Sequence, residues 1–146
     1  MTGDRKTGDV SISAAYDGRQ EHIRDLALPP IEVWENKYAD RAYEIELVVN
    51  EFNSICPLTG LPDFGTIAIR YGPDRWCAEL KSFKLYVTAY RTIGIFQEHA
   101  ANKILEDFVA AANPRWAELE AVFNVRGGIK TVVRCSYRPH ATAGGA

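Results

Sequence analysis

Through the middle of the chain apolar and polar residues alternate one for one, then change step. Tyr43, Ile45, Leu47 and Val49 alternate with Glu44, Glu46, Val48 and Asn50, the two-residue period of a half-buried strand. Ile67, Ile69 and Tyr71, between Thr66, Ala68 and Arg70, repeat it. Leu80, Phe83, Lys84, Val87 and Tyr90 then take helical spacing, with the Lys84 stem lying along the apolar stripe. Phe96, Ala100, Ile104 and Phe108, backed by Ala101, Leu105 and Ala112, predict a longer helix that stops at Asn113-Pro114. Period two returns at the end. Ala117, Leu119, Ala121, Phe123 and Val125 share one face, Ile129, Thr131, Val133, Cys135 and Tyr137 another, with Arg126-Gly127-Gly128 as a tight turn between them.

The order strand, strand, helix, helix, strand, strand predicts an α+β fold, an antiparallel four-stranded sheet with two helices on one face. Two sheet edges are left unpaired, so pairing with neighbouring subunits is expected. Residues 1–37 read as an N-terminal arm, mobile over Met1 to about Ser13, residues 38–139 as the folded domain and 140–146 as a flexible tail. Between the first two strands, Cys56-Pro57-Leu58-Thr59-Gly60-Leu61-Pro62-Asp63-Phe64-Gly65 is too rich in Pro and Gly for a regular element. Long ordered loops of this kind often carry function.

Composition narrows the classes. A chain of 146 residues holds one domain, and a net charge of −2 does not suit a binder of nucleic acid or acidic membrane. No apolar run matches a bilayer span, and the first residues lack the order of a signal peptide. Three cysteines without a Cys-x-x-Cys pair argue against a disulfide framework and for the cytoplasm. No G-x-G-x-x-G follows a strand, so any nicotinamide cofactor must be held without a doubly wound domain.

On spacing alone, Cys56 is either an ordinary loop cysteine or an accessible nucleophile, with Asp63 of the same loop suited to moving its proton. Cys77 and Cys135 read as small core residues. No ligand-pair spacing links the cysteines to His22, His99 or His140, so no metal site is expected. Glu98 and His99 lie either on a solvated helical face or, for Glu98, where a carboxylate could accept the paired N–H donors of a guanine-like ring. Lys81 and Lys84 are either surface lysines or phosphate-binding point charges.

Three motifs add a family. Glu79-Leu80-Lys81-Ser82-Phe83-Lys84-Leu85-Tyr86 resembles, at every position, the signature of the NADPH-dependent nitrile reductases that convert 7-cyano-7-deazaguanine to 7-aminomethyl-7-deazaguanine in queuosine biosynthesis. The Cys56–Gly65 loop resembles that family's nucleophile loop, and Gly94-Ile95-Phe96-Gln97-Glu98 its substrate-anchoring segment. The match runs from about Tyr38 to Pro139 and fits the short, single-unit members.

The resemblance implies the tunnelling fold, shared with GTP cyclohydrolase I, in which subunit sheets join edge to edge and two rings stack. It implies a homo-oligomer, commonly a decamer of two pentamers, with active sites between subunits. It also implies NADPH as cofactor, with a deazaguanine rather than nucleic acid as the direct partner. By that similarity Cys56 forms a covalent thioimide with the nitrile carbon and Asp63 supplies the proton. Gln97 and Glu98 would hold the ring edge and Ala78, Glu79 and Leu80 would line the base, while Lys81 and Lys84 would meet the cofactor's phosphates. Gln97 departs from the family, which often has His there; an amide bonds but does not titrate near neutrality. Two other readings remain: a zinc-dependent cyclohydrolase of the same fold, and a non-catalytic module that binds deazapurines or pterins.

Overall fold

The alternation does build the strands, but the sheet extends them beyond the pattern. The computed structural model describes residues 20–139, so the readings for Met1–Ser13 and for residues 140–146 lie outside the described residues. In chain order the elements are β1 (Val33–Glu35), β2 (Ile45–Ile55), β3 (Pro62–Gly72), β4 (Trp76–Ala78), α1 (Leu80–Thr88), α2 (Gln97–Ala112), β5 (Trp116–Phe123) and β6 (Val132–Tyr137). Short 3-10 turns cover Ile23–Asp25 and Ala89–Thr92. Strands β2-β3-β5-β6 form an antiparallel four-stranded sheet, while β1 and β4 pair separately. The expected sheet and both helices are present, and β2 and β6 are the edges.

The first correction is in β2. Alternation breaks at Asn50, where the sequence ends the strand, but the chain stays paired to β3 as far as Ile55↔Pro62. A bulge between Val49 and Phe52 moves the side-chain phase by one residue. Ile45, Leu47 and Val49 face the core before it, and Phe52 and Ser54 are buried after it. The expected ten-residue loop shrinks accordingly, because Pro62 to Gly65 belong to β3. Pro62 is tolerated as the first residue of its strand. Gly65 is needed, since a Cβ there would stand 2.6 Å from the Val122 carbonyl oxygen.

The helices cover one face of this sheet. On α1 the buried stripe is Phe83, Tyr86 and Val87, continued by Tyr90. Leu80 and Lys84, expected on that stripe, are exposed instead. The helix begins at Leu80, and the Glu79 carboxylate caps it, accepting from the N–H groups of Lys81 and Ser82. Along α2 the expected face is buried from Ala100 to Ala112, while Phe96, expected at its start, is half-buried and precedes the helix as its N-cap. Phe108 packs edge-on to Tyr71 at 4.8 Å and to Phe83 at 5.8 Å, joining both helices to the sheet. Asn113 ends α2 in the left-handed conformation, ahead of Pro114.

The domain boundary expected at Tyr38 also moves. Ile23 is buried in the core cluster, Leu26, Leu28, Ile31 and Val33 pack against it, and β1 pairs with β4. Ser82 ties the same segment down, its hydroxyl accepting from Glu32 N–H at 2.8 Å. Isolated apolar residues in a Pro-rich stretch have no period to reveal that they are buried.

Gly65→Ala should lower stability by about 1–3 kcal/mol, because the methyl meets backbone of β5 that cannot turn aside. Urea unfolding measures this, and an unchanged midpoint would contradict the packing described.

Candidate active site

Two hairpin tips and one helix start meet at the same end of the sheet. The β2–β3 tip is closed by Cys56 N–H donating to the Leu61 carbonyl and Gly60 N–H donating to that of Cys56, both at 2.8 Å. Gly60 takes φ +74° there. At the β5–β6 tip, Arg126 and Ile129 exchange two backbone hydrogen bonds of 2.9 Å across Gly127 and Gly128. Both glycines have positive φ, +59° and +79°, as a two-residue turn matched to strand twist requires. The α2 start is tethered to β2, since Ile55 N–H donates to the Ile93 carbonyl and Ile95 N–H to that of Ile55.

A cleft of about 440 Å³ opens between them, lined by Cys56, Asp63, Phe96, Gln97, Glu98, Asn124, Arg126, Gly127, Ile129 and Thr131. Four residues expected in the site thus share one space: Cys56, Asp63, Gln97 and Glu98. His99 does not line it. Two residues along a helix point roughly 200° apart, and the His99 ring bonds Gln20 instead.

Cys56 is half-buried. Burial pushes its thiol up, but the Thr59 hydroxyl, the N–H groups of Leu58 and Thr59 and the Arg126 charge together hold it below its ordinary value. Cys77 is buried, and Cys135, bonded to the Ala101 carbonyl, is pushed up by burial alone. Only Cys56 combines access with groups that favour the thiolate.

Asp63 is 3% exposed. Counting back from Tyr71 through Ile69, Ile67 and Gly65, it falls on the inner, apolar face of β3. Arg126 forms an ion pair with it, supplying the countercharge that a buried carboxylate needs. Arg126 was not among the expected site residues. A Gly-Gly turn placing an arginine at the sheet end was visible, but what lay opposite was not. Ser54, paired with Asp63 across the strands, is also buried, and its hydroxyl has no hydrogen-bond partner among the described residues.

Ala78, Glu79 and Leu80 are not brought to this cleft, nor are Lys81 and Lys84. Ala78 is buried and donates to the Tyr71 hydroxyl at 3.0 Å, while Glu79 is occupied as the α1 cap. Lys81 and Lys84 are exposed and form no ion pair among the described residues. Three residues apart, they share one helix face.

Residues 62–142 match the family model described as QueF-like protein. A relative named NADPH-dependent 7-cyano-7-deazaguanine reductase, from Elusimicrobium minutum, is 52% identical over 121 residues, covering 81% of this chain and 91% of that one. The chain belongs to the QueF-like family of these reductases. Another reductase of the same name, from Chlorobaculum tepidum, is 51% identical over 107 residues, covering 73% of this chain and 92% of its own. A crystal structure of the archaeosine synthase QueF-Like in the apo form superposes with a TM-score of 0.60 at 25% identity, covering 64% of this chain and 91% of that one. The QueF-like fold is the expected tunnelling fold, and the zinc cyclohydrolase reading is not favoured. Among the described residues no three His, Cys, Asp or Glu side chains converge to hold a metal, and no helix is long and apolar enough to cross a membrane.

Thr59→Val removes a hydrogen bond that favours the Cys56 thiolate. The pH profile of Cys56 alkylation should then move to higher pH, with alkylation at neutral pH slowed about tenfold. Mass spectrometry of iodoacetamide-treated protein reads both, and a profile unmoved by the substitution would refute that role for Thr59.

Proposed function

We propose that this protein carries out the reaction its relatives are named for, reducing the nitrile of 7-cyano-7-deazaguanine with NADPH. The product is 7-aminomethyl-7-deazaguanine, for queuosine modification of tRNA, and the work belongs to the cytoplasm. The observation that carries the reading is the shared cleft, where a thiol held below its ordinary value, a buried carboxylate and Glu98 face one another. Glu98 accepts the paired N–H donors of the guanine-like ring edge, and Gln97 bonds beside it.

Cys56 sulfur adds to the nitrile carbon, forming a C–S bond as C≡N becomes C=N. The thiol proton passes through the Asp63 carboxylate to the nitrogen, so the addition is redox-neutral and leaves a covalent thioimide. Reducing that C=N, and then the imine freed when the C–S bond breaks, takes two hydrides, the chemistry NADPH supplies when bound. Over the cycle carbon gains two hydrides and nitrogen two protons, and Cys56 leaves as it entered. The groups that lower the thiol also make its sulfur a better leaving group.

Lys81 and Lys84 hold the cofactor's phosphates, and Ala78-Glu79-Leu80 lines the base, both in the cleft of a neighbouring subunit. Two observations support this division: these residues lie outside their own chain's cleft, and both β2 and β6 leave an edge unpaired within the chain. Edge-to-edge pairing closes the sheets into a ring, and two pentamers stack as a decamer. A cleft closed between subunits also keeps water from the imine.

Incubating the protein with 7-cyano-7-deazaguanine should add the substrate's mass, and Cys56→Ala should abolish the adduct. NADPH should then be oxidised two to one against nitrile. Assembled protein that forms no adduct and oxidises nothing would sink the proposal. Mixing Cys56→Ala with Lys81→Ala subunits, each inactive alone, should restore part of the rate after reassembly. No restoration would argue that each site is built from one chain.

A further inference from the structure

The segment carrying Gln97 and Glu98 is held from both sides. Toward Cys56, Gly94 makes a parallel bridge with Ile55, the residue before Cys56, through backbone hydrogen bonds of Ile93 and Ile95 to Ile55. Strand geometry turns the next groups, Gly94 C=O and Phe96 N–H, the opposite way. Among the described residues no backbone strand meets them there; a side chain does. Gln20 Nε2 donates to the Gly94 carbonyl at 3.3 Å, and Phe96 N–H donates to Gln20 Oε1 at 3.1 Å. One primary amide thus supplies a donor and an acceptor, as a peptide group of a neighbouring strand would. The same oxygen also accepts from His99 Nδ1 at 3.0 Å, and that bond decides the tautomer. Phe96 makes no side-chain cap for α2, so Gln20 does from 76 residues upstream.

Gln20 is itself anchored. Ile23 is buried, the buried Lys103 ammonium donates to the Arg24 carbonyl at 3.3 Å, and Arg24 pairs with Glu106 of α2. The turn is therefore fastened to the helix whose first residues line the cleft.

We infer that Gln20 is a positioning residue for the nitrile substrate: its amide holds Gly94 and Phe96 and so sets where Gln97 and Glu98 meet the ring. This rests on the proposed reduction and assigns a substrate-positioning task to a residue outside the cleft. Gln20→Glu is the sharp variant. It keeps the size and still accepts from Phe96 and His99, but it puts a carboxylate oxygen against the Gly94 carbonyl. An added negative charge near a helix N-terminus is favourable, so the fold persists.

Steady-state assays of the full chain with 7-cyano-7-deazaguanine and NADPH should show the nitrile KM raised about tenfold by Gln20→Glu. The KM for NADPH, kcat and the melting temperature should stay near wild type. Hydrogen exchange across residues 94–99 should quicken in Gln20→Glu and in Gln20→Ala, a result that needs no turnover. Unchanged exchange there would overturn the inference. So would a wild-type nitrile KM, or a loss shared equally by both KM values, kcat and melting. A wild-type protein that exchanges as expected yet reduces no nitrile would sink the proposed function and leave the hold of Gln20 on this segment standing.

Discussion

Asp63 occupies a position on the inner face of β3 that every second residue after it fills without charge: Gly65, Ile67, Ile69 and Tyr71. An isolated carboxylate in such a place loses its hydration and is strongly disfavoured unless a countercharge reaches it. That demand ties the site's geometry together. Arg126 meets it, and Arg126 is in reach only because the Gly127-Gly128 turn sets the β5–β6 tip beside the β2–β3 tip. Asn124 N–H donating to the Phe64 carbonyl at 2.9 Å holds the two tips together. The same guanidinium favours the Cys56 thiolate, so one cation serves both the thiol and the carboxylate.

Around that pair the chain divides its labour. The sheet end holds the thiol, the carboxylate and Arg126, the start of α2 holds Gln97 and Glu98 beside them, and α1 presents two exposed lysines elsewhere. Asp63 sits on β3 and Gln97 and Glu98 on α2, while Cys56 follows directly after β2 in a hydrogen-bonded tip, an arrangement that fixes their relative positions. The lysines lie outside the cleft and two sheet edges stay open within the chain; in the proposed assembly a neighbouring subunit brings them together, which is how a small domain without a separate nucleotide-binding fold would serve a nicotinamide cofactor.

Much of this was legible in the residues. Alternation at Ile45–Val49 and Ile67–Tyr71 and the apolar face of α2 gave the layers, because burying one face of a strand or helix imposes its own period. What escaped had no period to show. The bulge after Val49 broke the alternation just where β2 continued, and the Pro-rich tip hid Pro62–Gly65 inside a strand. Extending the Ile67 alternation back two steps would have placed Asp63 on the inner face; the turn signals around it outweighed that count. Lys103, which no period marks, is buried under the turn around Ile23–Asp25, with Asp107 and the Arg24 carbonyl as partners.

By itself, then, the sequence determined the element order, the core faces and the chemical alphabet of the site: one accessible thiol, one carboxyl seven residues on, and an amide and a carboxylate opening a helix. Those follow from local period, turn chemistry and residue type. Tertiary structure alone decided that Arg126 faces Asp63, that Gln20 completes a strand edge from 76 residues away, and that α1 turns its lysines from the cleft. Each joins residues far apart in the chain through the buried charges and backbone groups that packing leaves in need of partners, and such needs arise only once the layers have met.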